Sequence, residues 1–137
     1  MNGGRRISSI RLLLFYEAVV FLMAAFVHAG MWIDGYRHRE ARIAESVLAG
    51  ALYVGLGLSW LRPLWARKAG LVAQGFALFG TLIGMFTIIV GVGPRTNPDI
   101  LYHLCMVGLL SWGLLYTIRA PTDLSEKAER PCPQRAA

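Results

Sequence analysis

The sequence predicts an all-α, integral membrane, four-helix up-down-up-down bundle with both termini cytoplasmic, and three observations carry that expectation. Hydrophobic residues make up 55% of the 137 residues and charged residues 16%, with a mean hydropathy of +0.49, far from the balance of a soluble domain. Four apolar stretches each approach the roughly 20 residues that cross a hydrocarbon layer. Short connections join them, so that neighbours are expected to lie antiparallel.

The first span is read from Ile10 to Trp32, behind a cytoplasmic segment 1–9 that carries Arg5 and Arg6. A basic start and the small-x-small step Val27-His28-Ala29 have the outline of a cleavable leader. The apolar region is too long for one and is interrupted by Glu17, so a retained span is expected. The second span runs from Ala41 to Leu61. The third, Gly70 to Val92, has small residues at Ala73, Ala77, Gly80, Gly84, Thr87 and Gly91, a stripe that lets helix backbones approach closely where lipid supplies no drive for association. Ser46, Gly50 and Gly57 form the expected facing stripe on the second span. The fourth span, Pro98 to Ile118, opens after Gly91, Gly93 and Pro94 stop the third: Asn97 is suited to the N-cap and Pro98 to the first helical position, and Asp99 complements the helix dipole. Residues 119–137, rich in Pro, Ala and charge, are expected to be a disordered cytoplasmic tail.

The net charge of +6 resides in the connections, not along an amphipathic face, and therefore reports orientation; no nucleic-acid partner is expected. Arg5, Arg6, Arg11, Arg62, Arg67, Lys68, Arg119, Lys127, Arg130 and Arg135 fall on one side. Arg37, Arg39, Arg42 and Arg95 fall on the other, offset by Asp34, Glu40, Glu45 and Asp99. The positive-inside rule makes the first side cytoplasmic. Cys105 and Cys132 form no Cys-x-x-Cys, so neither a zinc site nor a dithiol redox motif is indicated.

Ionisable residues inside spans are costly and mark sites. Counted at about 1.5 Å per residue, His28, Glu45 and His103 fall roughly 5 to 8 Å from the outer boundary, with Asp99 one turn above His103. Glu17, Gln74 and Ser111 form an inner polar layer, and Tyr53 lies between the two levels. Three readings fit the outer layer. It is interhelical polar glue, with His103 directed toward His28 and Glu45. It is a haem b or transition-metal site using His28 and His103, with Glu45 as a further ligand. Or it is a proton or small-solute path, with Glu17 accepting charge from within. His38 is expected to be solvated in the outer loop, and Trp32, Tyr36, Trp60, Trp65, Trp112 and Tyr116 are expected to anchor at the interfaces.

No Gly-x-Ser-x-Gly and no phosphate-binding loop is present, so no catalytic residues are assigned. The runs "GYRHREARIAESVLAG" and "FALFGTLIGMFTIIVGVGPRTNPDILYH" resemble the small uncharacterised four-span inner-membrane proteins of bacteria and, in general outline, the DoxX-like four-helix group. The resemblance implies a bacterial inner-membrane location and a four-helix bundle, and no site residue is carried over from it. The expected function is that of an accessory or small transport component, in contact with lipid and with a membrane partner or a second copy. The alternative is a haem- or metal-binding electron-transfer module.

Overall fold

The computed structural model describes residues 2–33, 35–93 and 95–120, with side chains from Arg5 onward. The chain is all-helical there: α1 (Asn2–His28), α2 (Arg39–Leu61), a short 3-10 turn (Pro63–Trp65), α3 (Ala66–Val90) and α4 (Asn97–Ile118). All four α-helices are long and apolar enough to cross a membrane, which is the pattern of a multi-pass membrane protein. The expected disordered tail from residue 121 on, with Cys132, lies outside the described residues, as do Asp34 and Pro94.

Local chemistry sets the helix ends, and several differ from the sequence boundaries. α1 begins at Asn2, well before the apolar run, and ends at His28, where Gly30 turns the chain at φ +72° and Ala29 pairs with Arg37 in an isolated antiparallel bridge. Pro63 opens the 3-10 turn that leads straight into α3, so that helix starts at Ala66. Gly91, at φ +88°, closes α3 in the left-handed conformation. It is thus a helix stop and not part of the packing stripe. The N-cap of α4 is Thr96, not Asn97: the Thr96 side chain accepts from the Asp99 amide while Asp99 Oδ2 accepts from the Thr96 amide, a reciprocal capping box with Pro98 in the first turn.

α1 and α3 each pack on all three other helices, whereas α2 and α4 have little contact with one another. Large apolar side chains cover the exterior, and several ionisable and polar ones lie buried within the apolar core. Phe79, Phe86, Val72 and Leu101 face outward, while Glu17, His28, Glu45, Gln74, Asp99 and Thr117 are buried among Leu14, Ala18, Phe21, Leu52, Ala77 and Leu110. A lipid solvent dictates this inversion, because apolar side chains lose nothing against acyl chains and ionisable groups must find partners within the protein.

Close helix approach follows the stripe on α3. A Cβ added at Gly80 would meet Leu48, and one at Gly84 would meet the His103 ring. Ala73 and Ala77 are buried on the same face. The facing surface on α2 is not the expected one: Ser46 is exposed, and a Cβ at Gly50 or Gly57 would meet nothing within 4 Å. Gly55 makes the contact instead, since a Cβ there would stand 2.6 Å from the Ala73 Cβ and 3.3 Å from the Ala69 carbonyl.

An arginine from elsewhere in the chain serves the C-terminal carbonyls of every helix. Arg37 Nε donates to the Ala29 carbonyl just past α1, Arg11 Nη2 to Ser59 near the end of α2, Arg95 to Ile88 and Ile89 at the end of α3, and Arg67 and Arg6 to Ile118 and Arg119 at the end of α4. These are the carbonyls a helix leaves without partners, at the negative end of its dipole. Arg11 also lies 4.3 Å over the Trp60 ring. The two arginines flanking the His28 end are thereby engaged with backbone, which gives them a structural reason to stand on that side.

Candidate functional site

His28, at the last turn of α1, is the hub of one end of the bundle. Its Nδ1 lies 2.7 Å from Glu45 Oε2 on α2, and its Nε2 lies 3.5 Å from Asp99 Oδ1 on α4. All three side chains are buried. The Nδ1 contact is a hydrogen bond donated to Glu45, whereas Nε2 makes none among the described residues and stands beside Asp99, so the ring is where three helices meet. The loop after α1 closes over it. Tyr36 stacks on the His28 ring with centroids 5.4 Å apart, His38 meets it edge-on at 6.5 Å, and the His38 amide donates to the His28 carbonyl at 3.0 Å.

Asp99 is held from its other side. Thr96 Oγ1 donates to Asp99 Oδ2 and, having one proton, accepts from the Tyr36 hydroxyl at 3.0 Å. Burial, with the Asp99 carboxylate beside it, pushes the Tyr36 phenol above its ordinary pKa and keeps it protonated as the donor of this chain. Tyr36 and His38 therefore belong to the site, and His38 is half-buried there instead of fully solvated. Their signal lay in the loop's own turn, which brings Arg37 back to Ala29 and so carries both neighbours of Arg37 over His28.

The structure brings His28, Glu45 and Asp99 together and gives His103 a different role. His103 Nδ1 donates to the Asp99 carbonyl one turn earlier at 2.8 Å, which leaves Nε2 beside Gly84, where the missing side chain makes room for it. His103 and Glu45 both line a chamber of about 480 Å³ between α2, α3 and α4, floored by Phe21 and Leu48 and walled by Ile83 and Ile88. Three polar atoms of its lining residues have no hydrogen-bond partner among the described residues although they are buried: His38 Nδ1, Glu45 Oε1 and the Tyr102 hydroxyl. An orphaned buried polar atom is costly, and native structures carry few without a purpose.

The second polar cluster is nearer the other end. Gln74 Nε2 donates to both Glu17 oxygens, at 3.0 and 3.2 Å, and Gln74 Oε1 accepts from Thr117 Oγ1 at 2.9 Å. The carboxyl, the amide and the hydroxyl come from α1, α3 and α4, and all are fully buried. Gly113 leaves the space, because a Cβ there would collide with Glu17 and Gln74. Thr117, not Ser111, is the α4 member, and Ser111 is half-buried on another side of the helix. Tyr53 is exposed and joins neither cluster. Gln74→Leu should lower stability by about 1–3 kcal/mol, the cost of leaving a buried acceptor unmade, and Ser111→Ala by no more than about 0.5 kcal/mol. Melting curves in detergent compare the two, and equal losses would remove Gln74 from its bridging position.

Both His28 nitrogens face carboxylates and His103 has only Nε2 free, and among the described residues no three His, Cys, Asp or Glu side chains are grouped as metal ligands would be. Neither a family model, nor a curated protein, nor a solved structure matches this chain.

Proposed function

We propose that this chain is a small multi-pass protein of the bacterial inner membrane that holds a small amphiphilic molecule in the chamber beside Glu45, serving as an accessory or small transport component and not as an enzyme. The observation that carries this reading is the chamber itself: about 480 Å³, within the roughly 300–1,000 Å³ of small-molecule sites, mostly apolar, with a few convergent polar groups of which Glu45 Oε1 and the Tyr102 hydroxyl are unpartnered. The His28 cluster holds the ends of α1, α2 and α4 around it and fixes Glu45 through its other oxygen.

An alkyl diazirine photoprobe tests the reading on protein in lipid nanodiscs. Adducts mapped by mass spectrometry should concentrate on Leu48, Ile83 and Tyr102, and Ala44→Trp, placed on the chamber wall, should suppress them. Adducts confined to lipid-facing residues such as Phe79 and Phe86 would overturn it.

The orientation belongs to the same proposal: an up-down-up-down bundle with both termini cytoplasmic. Arg5, Arg6, Arg11, Arg62, Arg67, Lys68 and Arg119 support it by gathering at the Ser59 end. A reporter active only outside the cytoplasm should signal when fused after Tyr36 and stay silent when fused after Lys127. The opposite pattern would reverse the assignment.

A further inference from the structure

We propose that the chamber selects a primary ammonium carried on an apolar body, a refinement that rests on the binding reading above. Most of the free polar atoms at this chamber are acceptors, each for a structural reason. Glu45 gives Oε2 to His28 and keeps Oε1. His103 gives its Nδ1 proton to the Asp99 carbonyl, which leaves Nε2 as its one free ring nitrogen. Thr81 donates its hydroxyl proton to the Ala77 carbonyl and Thr87 donates its own to Gly84, which leaves both threonines with lone pairs alone. Tyr102, whose buried hydroxyl has no partner, and the His38 ring, whose Nδ1 stands 3.6 Å from Glu40 Oε2, are able to give or accept.

Charge points the same way. Glu45 places a carboxyl group on the cavity wall, and Asp99 stands behind it on the other side of the His28 ring. Glu40 adds a further carboxylate at the mouth, and no lysine or arginine is among the described residues that line the cavity. A carboxylate or phosphate head would find only the Tyr102 phenol and the His38 ring as donors and would face the Glu45 carboxyl. An ammonium offers three donors to the larger set of acceptors and pairs with the Glu45 carboxylate, and its apolar body fits against Leu48, Ile83 and Ile88. The same head occurs on free amphiphilic amines and on aminophospholipids of the surrounding membrane.

Competition against the diazirine photoprobe in phosphatidylcholine nanodiscs tests the assignment with octylammonium, octanol and octanoate, compared at equal membrane-bound concentration. Octylammonium should protect the chamber at concentrations about tenfold lower than octanoate, as one charge-assisted hydrogen bond provides. Glu45→Gln should abolish that preference. Tyr102→Phe, which leaves the His28 cluster untouched, should reduce it. Protection by phosphatidylethanolamine included in the disc would identify the membrane as the source of the ammonium, and no effect of that lipid beside strong protection by octylammonium would identify a free amine. Chamber labelling with equal or stronger protection by octanoate would overturn the ammonium assignment alone, whereas absence of chamber labelling would overturn the binding reading beneath it.

Discussion

His28→Ala is expected to destabilise the protein by about 3–5 kcal/mol, the penalty for removing one partner from a buried ionic cluster and leaving the others uncompensated. The loss exceeds that of an ordinary membrane hydrogen bond, which averages about 0.6 kcal/mol, because Glu45 would remain buried with neither carboxyl oxygen hydrogen-bonded among the described residues and Asp99 would lose the ring beside it. The stacking surface for Tyr36 would vanish as well. Melting in detergent measures the effect, and a double-mutant cycle assigns it. His28→Leu combined with Glu45→Leu should cost clearly less than the sum of the two single changes, since each single change strands the other partner and the pair of changes does not. Strict additivity would mean that the ring and the carboxylate do not interact, and the hub at this end of the bundle would be lost with them.

Depth along the membrane was legible in the sequence, and rotation about each helix axis was much less so. Rise per residue is nearly constant, so counting from the span ends placed His28, Glu45 and His103 at one level, with Asp99 one turn above, and Glu17 with Gln74 at another. The membrane's penalty on exposed charge then turned each of them inward. Direction around the axis advances by about 100° per residue, and an error of two positions reverses the face. That is why Gly57 was read as the packing residue where Gly55 is, and why Ser111 was read as the partner of Gln74 where Thr117 is. The capping box was shifted by one residue for a similar reason: Thr96 and Asn97 are both good caps, and only the position of Asp99 three residues after Thr96 decides between them. Nothing in the periodicity of a span marks the loop residues Tyr36 and His38. Their placement depends on the left-handed turn at Gly30 and the bridge that follows it. The chamber was beyond the sequence because it is a gap left between three helices, defined by where Leu48, Gly80, Gly84 and His103 fall relative to one another.

Gly55→Leu is expected to be the most damaging change in the helix-packing surface, with a loss of about 1–3 kcal/mol or more from overpacking. At Gly55 the obstacle is not the end of a flexible side chain that can swing aside: an added Cβ would meet the Ala73 Cβ at 2.6 Å and the Ala69 carbonyl at 3.3 Å, both fixed to the backbone of α3. Relief requires α2 and α3 to separate, and without a hydrophobic drive between helices in lipid the close contact they lose is not replaced. Gly57→Leu is the matched control on the same helix, because a Cβ there meets nothing within 4 Å, and it should shift stability by no more than about 0.5 kcal/mol. The exchange Gly55→Ala with Ala73→Gly moves the methyl group from one helix to the other and should recover much of the loss caused by Gly55→Ala alone. Melting curves of these four variants decide the matter. Equal damage at positions 55 and 57 would show that bulk on α2, not the approach to Ala73, is responsible, and failure of the exchange to rescue would place the close contact elsewhere on α3.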